Sequence, residues 1–248
     1  VNSPLAWRVI ASSAIGTSHL ASGSICQDAH AYRVLEDGTL LIAVADGAGS
    51  ASHSAEGARC ATDTAINFLA GRLSNLPDQD VAATLAQSLS TARGAVERLA
   101  TKDLSASDFA TTLLIAVVTA ADISIAQVGD GAIVIQHQDE SLEVVTQASD
   151  GEYINQTTFI TSQYALEQAY FNVRPSNTIR GIAVLTDGMQ LLAIHHRTNI
   201  AFDAFFGPMF KFAADTTSNG ESLEEFLMSA AVTSRTDDDK TLVFTIRV

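Results

Sequence analysis

The chain has 248 residues, with 14 Lys+Arg against 28 Asp+Glu and a net charge of −14 at pH 7. At 47% hydrophobic it can bury a substantial core, and at 17% charged its acidity reflects a shortage of Lys and Arg rather than acidic blocks. Such a surface repels a phosphate backbone, which excludes a nucleic-acid binder as the default, and its two cysteines, Cys26 and Cys60, exclude a disulfide scaffold or a Cys-based zinc site. No apolar run reaches the about 18–20 residues that span a membrane. The N-terminus lacks a basic region followed by an apolar stretch, so a cytoplasmic protein without a membrane partner is expected.

The first predicted elements form a hairpin. Ala29–Leu35 and Thr39–Ala45 are strand-like, and Asp37–Gly38 is a strong two-residue turn signal. With those two residues as the loop, Glu36 faces Thr39, Asp28 lies opposite Gly47 and Asp46 lies opposite Ala29. Two helices follow. The first runs from about Ser54 to Leu73 and puts Ala58, Ala61, Ala65, Phe68 and Leu69 on one face. The second repeats Val81, Leu85, Leu89, Ala92, Val96 and Leu99 at helical spacing, with Asp80 as N-cap. Residues 111–146 read as a meander of Leu113–Thr119, Asp122–Gly129, Ala132–Gln136 and Leu142–Thr146. Asp150–Gly151 reads as a turn and residues 162–170 as a short helix. Ile182–Leu185 is a buried strand, and Thr186-Asp187-Gly188 leads into a helical stretch, Met189–His195. Phe202, Phe205, Phe206, Phe210 and Phe212 are expected in packed core. Ser222-Leu-Glu-Glu225 reads as a capping box opening a helix to about Val232. Asp237-Asp238-Asp239-Lys240 precedes a last strand, Thr241–Val248. Helices set between groups of strands with short turns predict an α+β protein, antiparallel sheets with helices outside them.

Asp28, Asp46, Asp130, Asp187 and Asp238 share one context: each sits at the start or end of an apolar strand. In antiparallel sheets these ends can gather at one edge. Five anions there repel and raise one another's pKa, so the cluster needs a cation. An oxygen-rich set without His or Cys at metal spacing favours Mg²⁺ or Mn²⁺. Gly after Asp also lets a backbone carbonyl approach the metal. Two cations bridged by one carboxylate suit attack of water on a phosphate ester. Each Asp-Gly taken alone is more often a turn, and only the joint pattern lifts the metal reading.

These residues resemble a bacterial form of the metal-dependent protein serine/threonine phosphatases of type 2C. The motifs are Gly23-Ser-Ile-Cys-Gln-Asp28-Ala, Val44-Ala-Asp46-Gly47-Ala-Gly49, Ala110-Thr111-Thr112-Leu113 with Val128-Gly129-Asp130-Gly131-Ala, Leu185-Thr186-Asp187-Gly188-Met189, and Asp237-Asp238-Asp239-Lys240-Thr241-Leu242. The resemblance implies one catalytic domain over residues 1–248, a four-layer α/β/β/α sandwich of two antiparallel sheets flanked by helices. It implies two or three Mn²⁺ or Mg²⁺ ions, with Asp46 bridging two and Gly47 as carbonyl ligand. Asp187 and Asp238 resemble ligands of one ion, and Asp130 the Asp that helps bind a third. Asp28 resembles the acidic residue that holds metal-bound water. The Arg that clamps phosphate in many members is Gly23 here, Gln27 precedes Asp28, and Ala48 follows the Asp-Gly of the second motif. His19, Arg33, Arg59 and Arg235 are open substitutes for the clamp. His30, His53, His137, His195 and His196 read as ordinary histidines.

Three functions are compatible with these residues. The first is hydrolysis of phosphoserine or phosphothreonine on proteins by a metal-activated water, with a Ser/Thr kinase acting on the same targets. The second is a phosphoprotein-binding regulatory module of the same fold with little catalysis. The third is a hydrolase of small phosphate esters. A monomer is expected.

Overall fold

The computed structural model describes residues 6–74, 80–147, 157–195 and 198–248. Strand β1 (Trp7–Ala14) precedes helix α1 (Thr17–Ser22), the hairpin β2 (Ala29–Val34) and β3 (Leu40–Ala45), and helices α2 (Ser54–Leu73) and α3 (Val81–Glu97). Strands β4 (Leu113–Val118), β5 (Asp122–Val128), β6 (Ala132–His137), β7 (Leu142–Val144), β8 (Tyr170–Pro175) and β9 (Ile179–Leu185) follow. Helix α4 (Gln190–Ala193), two-residue strands β10 (Ile194–His195) and β11 (Ile200–Ala201), and helices α5 (Asp203–Ala214), α6 (Gly220–Leu227) and α7 (Ala230–Thr233) lead to β12 (Lys240–Arg247). One five-stranded sheet has the order β1-β12-β9-β6-β7 and the other β2-β3-β4-β5-β8, antiparallel throughout.

Alternation along the strands builds the layers. Leu40, Ile42 and Val44 of β3 face Ile133, Ile135, Ile182, Val184 and Val243 of the opposite sheet. Their neighbours Leu41, Ala43 and Ala45 turn outward onto Ala58, Ala61, Ala65 and Leu69 of α2 and Leu85 and Leu89 of α3. Being buried on both faces, β3 is a continuous apolar run instead of an alternating one. On the other side Val134, Ala183, Leu185 and Phe244 receive Phe206 and Phe210 of α5 and Leu223 and Leu227 of α6. The result is the expected α/β/β/α sandwich. Asp80 caps α3, its carboxylate accepting from the Ala83 N–H at 3.1 Å.

Five local expectations are corrected. The β2–β3 loop has three residues, Glu36-Asp37-Gly38. Leu35 N–H donates to Thr39 O at 2.8 Å, and Gly38 has φ +85°. Ala29 pairs with Ala45, so the register differs by one from the two-residue turn. The meander is divided: β5 belongs to one sheet and β6 to the other, and the chain crosses at Gly129-Asp130-Gly131. Gly129 makes that crossing at φ +103°, where a Cβ would also stand 2.4 Å from Thr112 Cγ2. Residues 162–170 are turns running into β8, not a helix; burial of Ile160 and Ala165 in the α2–α3 layer decides their path. The capping box starts at Asn219, with Ser222 at its third helical position, and α6 ends at Leu227 before Ser229 opens α7. Met189–His195 is also shorter as a helix than expected, since Ile194–His195 is a strand. Asp150–Gly151 and His196 lie outside the described residues.

Candidate metal centre

The site is an edge of the sandwich where strands from both sheets begin or end. Extending the β2–β3 register by one residue sets Asp28 opposite Asp46. The backbone of Asp46 is held by the start of β4. Its N–H donates to Thr112 Oγ1 at 2.8 Å, and its carbonyl accepts from Thr111 Oγ1 at 2.9 Å and Thr112 N–H at 2.8 Å. Gly47 bridges to Thr111, and a Cβ there would lie 2.7 Å from Gln27 O and 2.8 Å from Ser54 Cβ. Asp187 opens the short turn after β9. A Cβ on Gly188 would lie 1.9 Å from Asp239 O, so this turn sits directly on the loop that carries Asp238. The glycines after Asp46 and Asp187 therefore serve close backbone approach, whereas Gly38 serves a turn.

Asp130 enters from the crossing between the sheets. Its Oδ2 accepts from Thr157 Oγ1 at 2.8 Å, and its carbonyl accepts from the Gln190 side-chain amide. Carboxylate oxygens of Asp46, Asp130 and Asp187 lie within 4.8 Å of one another. Asp238 acts electrostatically on both Asp46 and Asp187. Its neighbour Asp239 is buried and tied down by backbone donors, and its charge also raises Asp28. It accepts from Gly16 N–H at 2.6 Å and Gln27 N–H at 2.5 Å, and His19 Nδ1 is 3.0 Å from its Oδ1. Buried Lys240 donates to Ile15 O at 3.1 Å and Asp238 O at 2.9 Å, and burial lowers its pKa. Asp28 Oδ2 accepts from Thr186 Oγ1 at 2.8 Å, and Thr186 Oγ1 in turn accepts the Thr241 N–H at 2.9 Å.

The electrostatics follow from crowding. Burial and the charges of Asp28, Asp187 and Asp238 drive Asp46 far above the usual carboxylate range. Burial raises Asp28 against the opposing hydroxyl bonds, and burial with Asp130 and Asp238 pushes Asp187 up to about 6. Asp28 Oδ1 and Asp130 Oδ1 are buried without a hydrogen-bond partner among the described residues. An all-oxygen donor set, mutual repulsion and orphaned carboxylate oxygens fit hard divalent cations.

The structure thus brings Asp28, Asp46, Gly47, Asp130, Asp187 and Asp238 to one edge. It does not bring the four clamp substitutes there as a group. Arg33 donates to Asn67 Oδ1 at 3.0 Å beside α2, Arg59 is exposed on α2, and Arg235 lines an apolar cleft with Leu191, Phe205 and Phe226. His19 reaches only Asp239, from outside the cluster. Gly23 ends α1 in a left-handed cap at φ +72° with open space around it. The hydroxyls of Thr111, Thr112, Thr186 and Thr241 stand inside the motifs quoted from the sequence but are given no role there; their place beside the acidic motifs is the signal that could have found them.

The Protein phosphatase 2C family matches residues 15–228. The chain is 33% identical over 253 residues to serine/threonine-protein phosphatase 3 of Escherichia coli (strain K12), covering 98% of this chain and 99% of that one. Among solved structures, a bacterial serine phosphatase superposes with a TM-score of 0.70 at 15% identity over 98% of both chains. The catalytic domain of serine threonine protein phosphatase PstP in complex with 2 manganese ions gives 0.69 at 18% identity over 98% of this chain and 99% of that one. The chain belongs to the protein phosphatase 2C family.

Proposed function

We propose that this chain is a metal-dependent protein phosphatase that hydrolyses phosphoserine and phosphothreonine on proteins, with residues 1–248 acting as one catalytic domain. The observation that carries the reading is the edge cluster of Asp46, Asp130 and Asp187, formed by the family's own motifs. Asp46 would bridge two Mn²⁺ or Mg²⁺ ions, with the Gly47 carbonyl, Asp187 and Asp238 completing their protein ligands and Asp130 serving a third. Such cations supply a water of lowered pKa and offset charge on the phosphoryl oxygens. Without them the carboxylates would repel a phosphate dianion, so substrate binding itself requires the filled site. Asp28 accepts the Thr186 hydroxyl on Oδ2, which leaves Oδ1 to accept from the attacking water and aim it in line at phosphorus. A cytoplasmic bacterial monomer opposed by a Ser/Thr kinase is the setting this reading implies. Among the described residues no helix is long and apolar enough to cross a membrane.

The test is hydrolysis of p-nitrophenyl phosphate and a phosphothreonine peptide after chelation, with Mn²⁺, Mg²⁺ or nothing added back. The expected result is activity restored by Mn²⁺ on both substrates and lost in Asp46→Asn. Retained activity in Asp46→Asn overturns the mechanism. Tight metal binding without turnover favours the regulatory module, and activity on the small ester alone favours a small-molecule hydrolase.

A further inference from the structure

We propose that the cleft between α4, α5, α6 and α7 is a docking subsite for the phosphoprotein substrate. It would receive a large apolar residue and an adjacent acidic residue that lie a few positions from the phosphorylated one. The proposal rests on the reading of the chain as a protein phosphatase.

The cleft has a volume of about 600 Å³, inside the range of about 300–1,000 Å³ typical of ligand sites. Its walls are Leu191 and Leu192 of α4, Phe205 and Met209 of α5, Phe226 of α6 and Val232 of α7. Leu191 is 66% exposed, so one wall leaves apolar surface uncovered. The walls are set before any partner arrives. Phe205 meets Phe206 edge to face with ring centres 5.0 Å apart, and Phe226 lies 6.5 Å from it. Helix α4 is fastened at both ends. The Gln190 side chain donates to the Asp130 carbonyl, and the Phe202 N–H donates to the Ala193 carbonyl at 2.8 Å. A preformed wall costs a ligand little to order.

Two polar features select the ligand. Pro208 stands inside α5 and has no N–H, so the Ala204 carbonyl loses the donor that residue 208 gives in an unbroken helix. Ala204 and Pro208 are one turn apart and both line the cleft. A peptide N–H supplies the missing donor. Arg235 also lines the cleft, and its guanidinium forms no ion pair among the described residues, in a chain with 28 acidic against 14 basic side chains. Asp203, the other charged residue there, lies in the first turn of α5, where the helix N-terminus favours a negative charge. Arg235 is thus the charge left for a partner, and a carboxylate is its complement. A short stretch of polypeptide brings the apolar side chain, the N–H and the carboxylate together.

Position decides whose polypeptide this is. Leu191 follows Asp187 by four residues, and Arg235 precedes Asp238 by three. At no more than about 3.6 Å per residue, the Cα of Arg235 lies within about 11 Å of that of Asp238. Gln190 touches the backbone of Asp130 while Leu191, the next residue, lines the cleft. An extended substrate held at the carboxylate edge by its phosphate therefore reaches the cleft with a neighbour about three to five positions away.

The test compares phosphothreonine peptides that carry Leu-Glu, Leu-Lys or Ser-Ser at the fourth and fifth positions on either side of the phosphothreonine. With the Mn²⁺-loaded enzyme, Leu-Glu on one side should exceed Ser-Ser in kcat/KM by about tenfold, carried by KM. Arg235→Glu should make Leu-Lys the better of the two Leu peptides. Equal kcat/KM for every peptide on both sides overturns the proposal, as does a Leu-Glu preference unchanged in Arg235→Glu. A second arm needs no turnover. In the metal-free protein, the unphosphorylated Leu-Glu peptide should shift the amide NMR signals of Leu191, Phe205 and Arg235, and the Ser-Ser peptide should not. Absence of those shifts overturns the proposal. Shifts with decanoate but not with the peptide overturn it in favour of a small amphipathic ligand. Turnover of p-nitrophenyl phosphate with none of any phosphopeptide would overturn the protein-phosphatase reading instead, and the amide shifts would still decide whether the cleft takes a peptide.

Discussion

The space between the two sheets and the edge at which their strands end are built by the same strands with opposite chemistry. Leu40, Ile42 and Val44 are 0–1% exposed and pack among apolar residues across the sandwich. Two residues beyond Val44, the same chain delivers Asp46 into a cluster of carboxylates that repel one another. Burial favours the folded state in the first region and opposes it in the second. The difference teaches that the interior supplies the stability that the edge draws on. The buried apolar sandwich is what allows carboxyl groups to be held within 4.8 Å of one another before any cation is bound.

The largest effect expected is on activity at the edge. Asp46→Asn should lower kcat by about 1,000-fold or more, while the metal-free protein becomes more resistant to heat because the burial and repulsion that drive Asp46 up in the fold no longer oppose folding. A lower melting temperature for that variant would break the comparison. Inside the sandwich the signs reverse. Ile42→Ala should cost about 2–5 kcal/mol in urea unfolding, with kcat per folded molecule within about twofold of wild type. A collapse of kcat there would mean the interior is part of the site's precision and not only its support.

The pH dependence should sharpen the contrast. Asp187 is raised to about 6 in the fold, so the folded state holds its proton more tightly than the unfolded chain. Metal-free stability should be greatest near pH 4 and fall by about 2–3 kcal/mol as pH rises towards 7. Saturating Mn²⁺ should flatten or invert that slope, as read by thermal melts across pH. A metal-free protein that gains stability over the same range would contradict the strained edge. The smallest effect is at a site in neither region: Asp80→Ala should cost about 1 kcal/mol through the lost cap of α3 and leave hydrolysis unchanged.

What was legible in the sequence was local. The helix from Ser54 to Leu73 and the cap at Asp80 follow from a 3.6-residue period and a side chain three residues from its partner. The carboxylates were legible because Asp-Gly recurred at the ends of apolar runs. What escaped depends on tertiary placement. Nothing in Asp122–Gln136 marks that β5 and β6 join different sheets, since strands of both sheets are apolar on both faces. The turns at 162–170 are set by burial of Ile160 and Ala165, which a short window does not reveal. Thr111, Thr112 and Thr186 stood inside the quoted motifs without a role, because a hydroxyl in a sequence gives no sign of whether its partner is water, backbone or a carboxylate.

The three-residue loop of the first hairpin acts as a phase-setter for the site. β3 is buried on both faces, so sliding it one position against β2 would expose no new hydrocarbon and meets little resistance from solvent. The alignment of Asp28 with Asp46 is instead counted off from Glu36-Asp37-Gly38, about 20 Å away along six residues of strand. Length there is information. A surface loop is usually where insertions are most readily tolerated, yet one added residue in this loop could propagate the length of the hairpin and present Ala45 or Gly47 to Asp28. Substitutions among those three positions should be accepted far more readily than a change in their number.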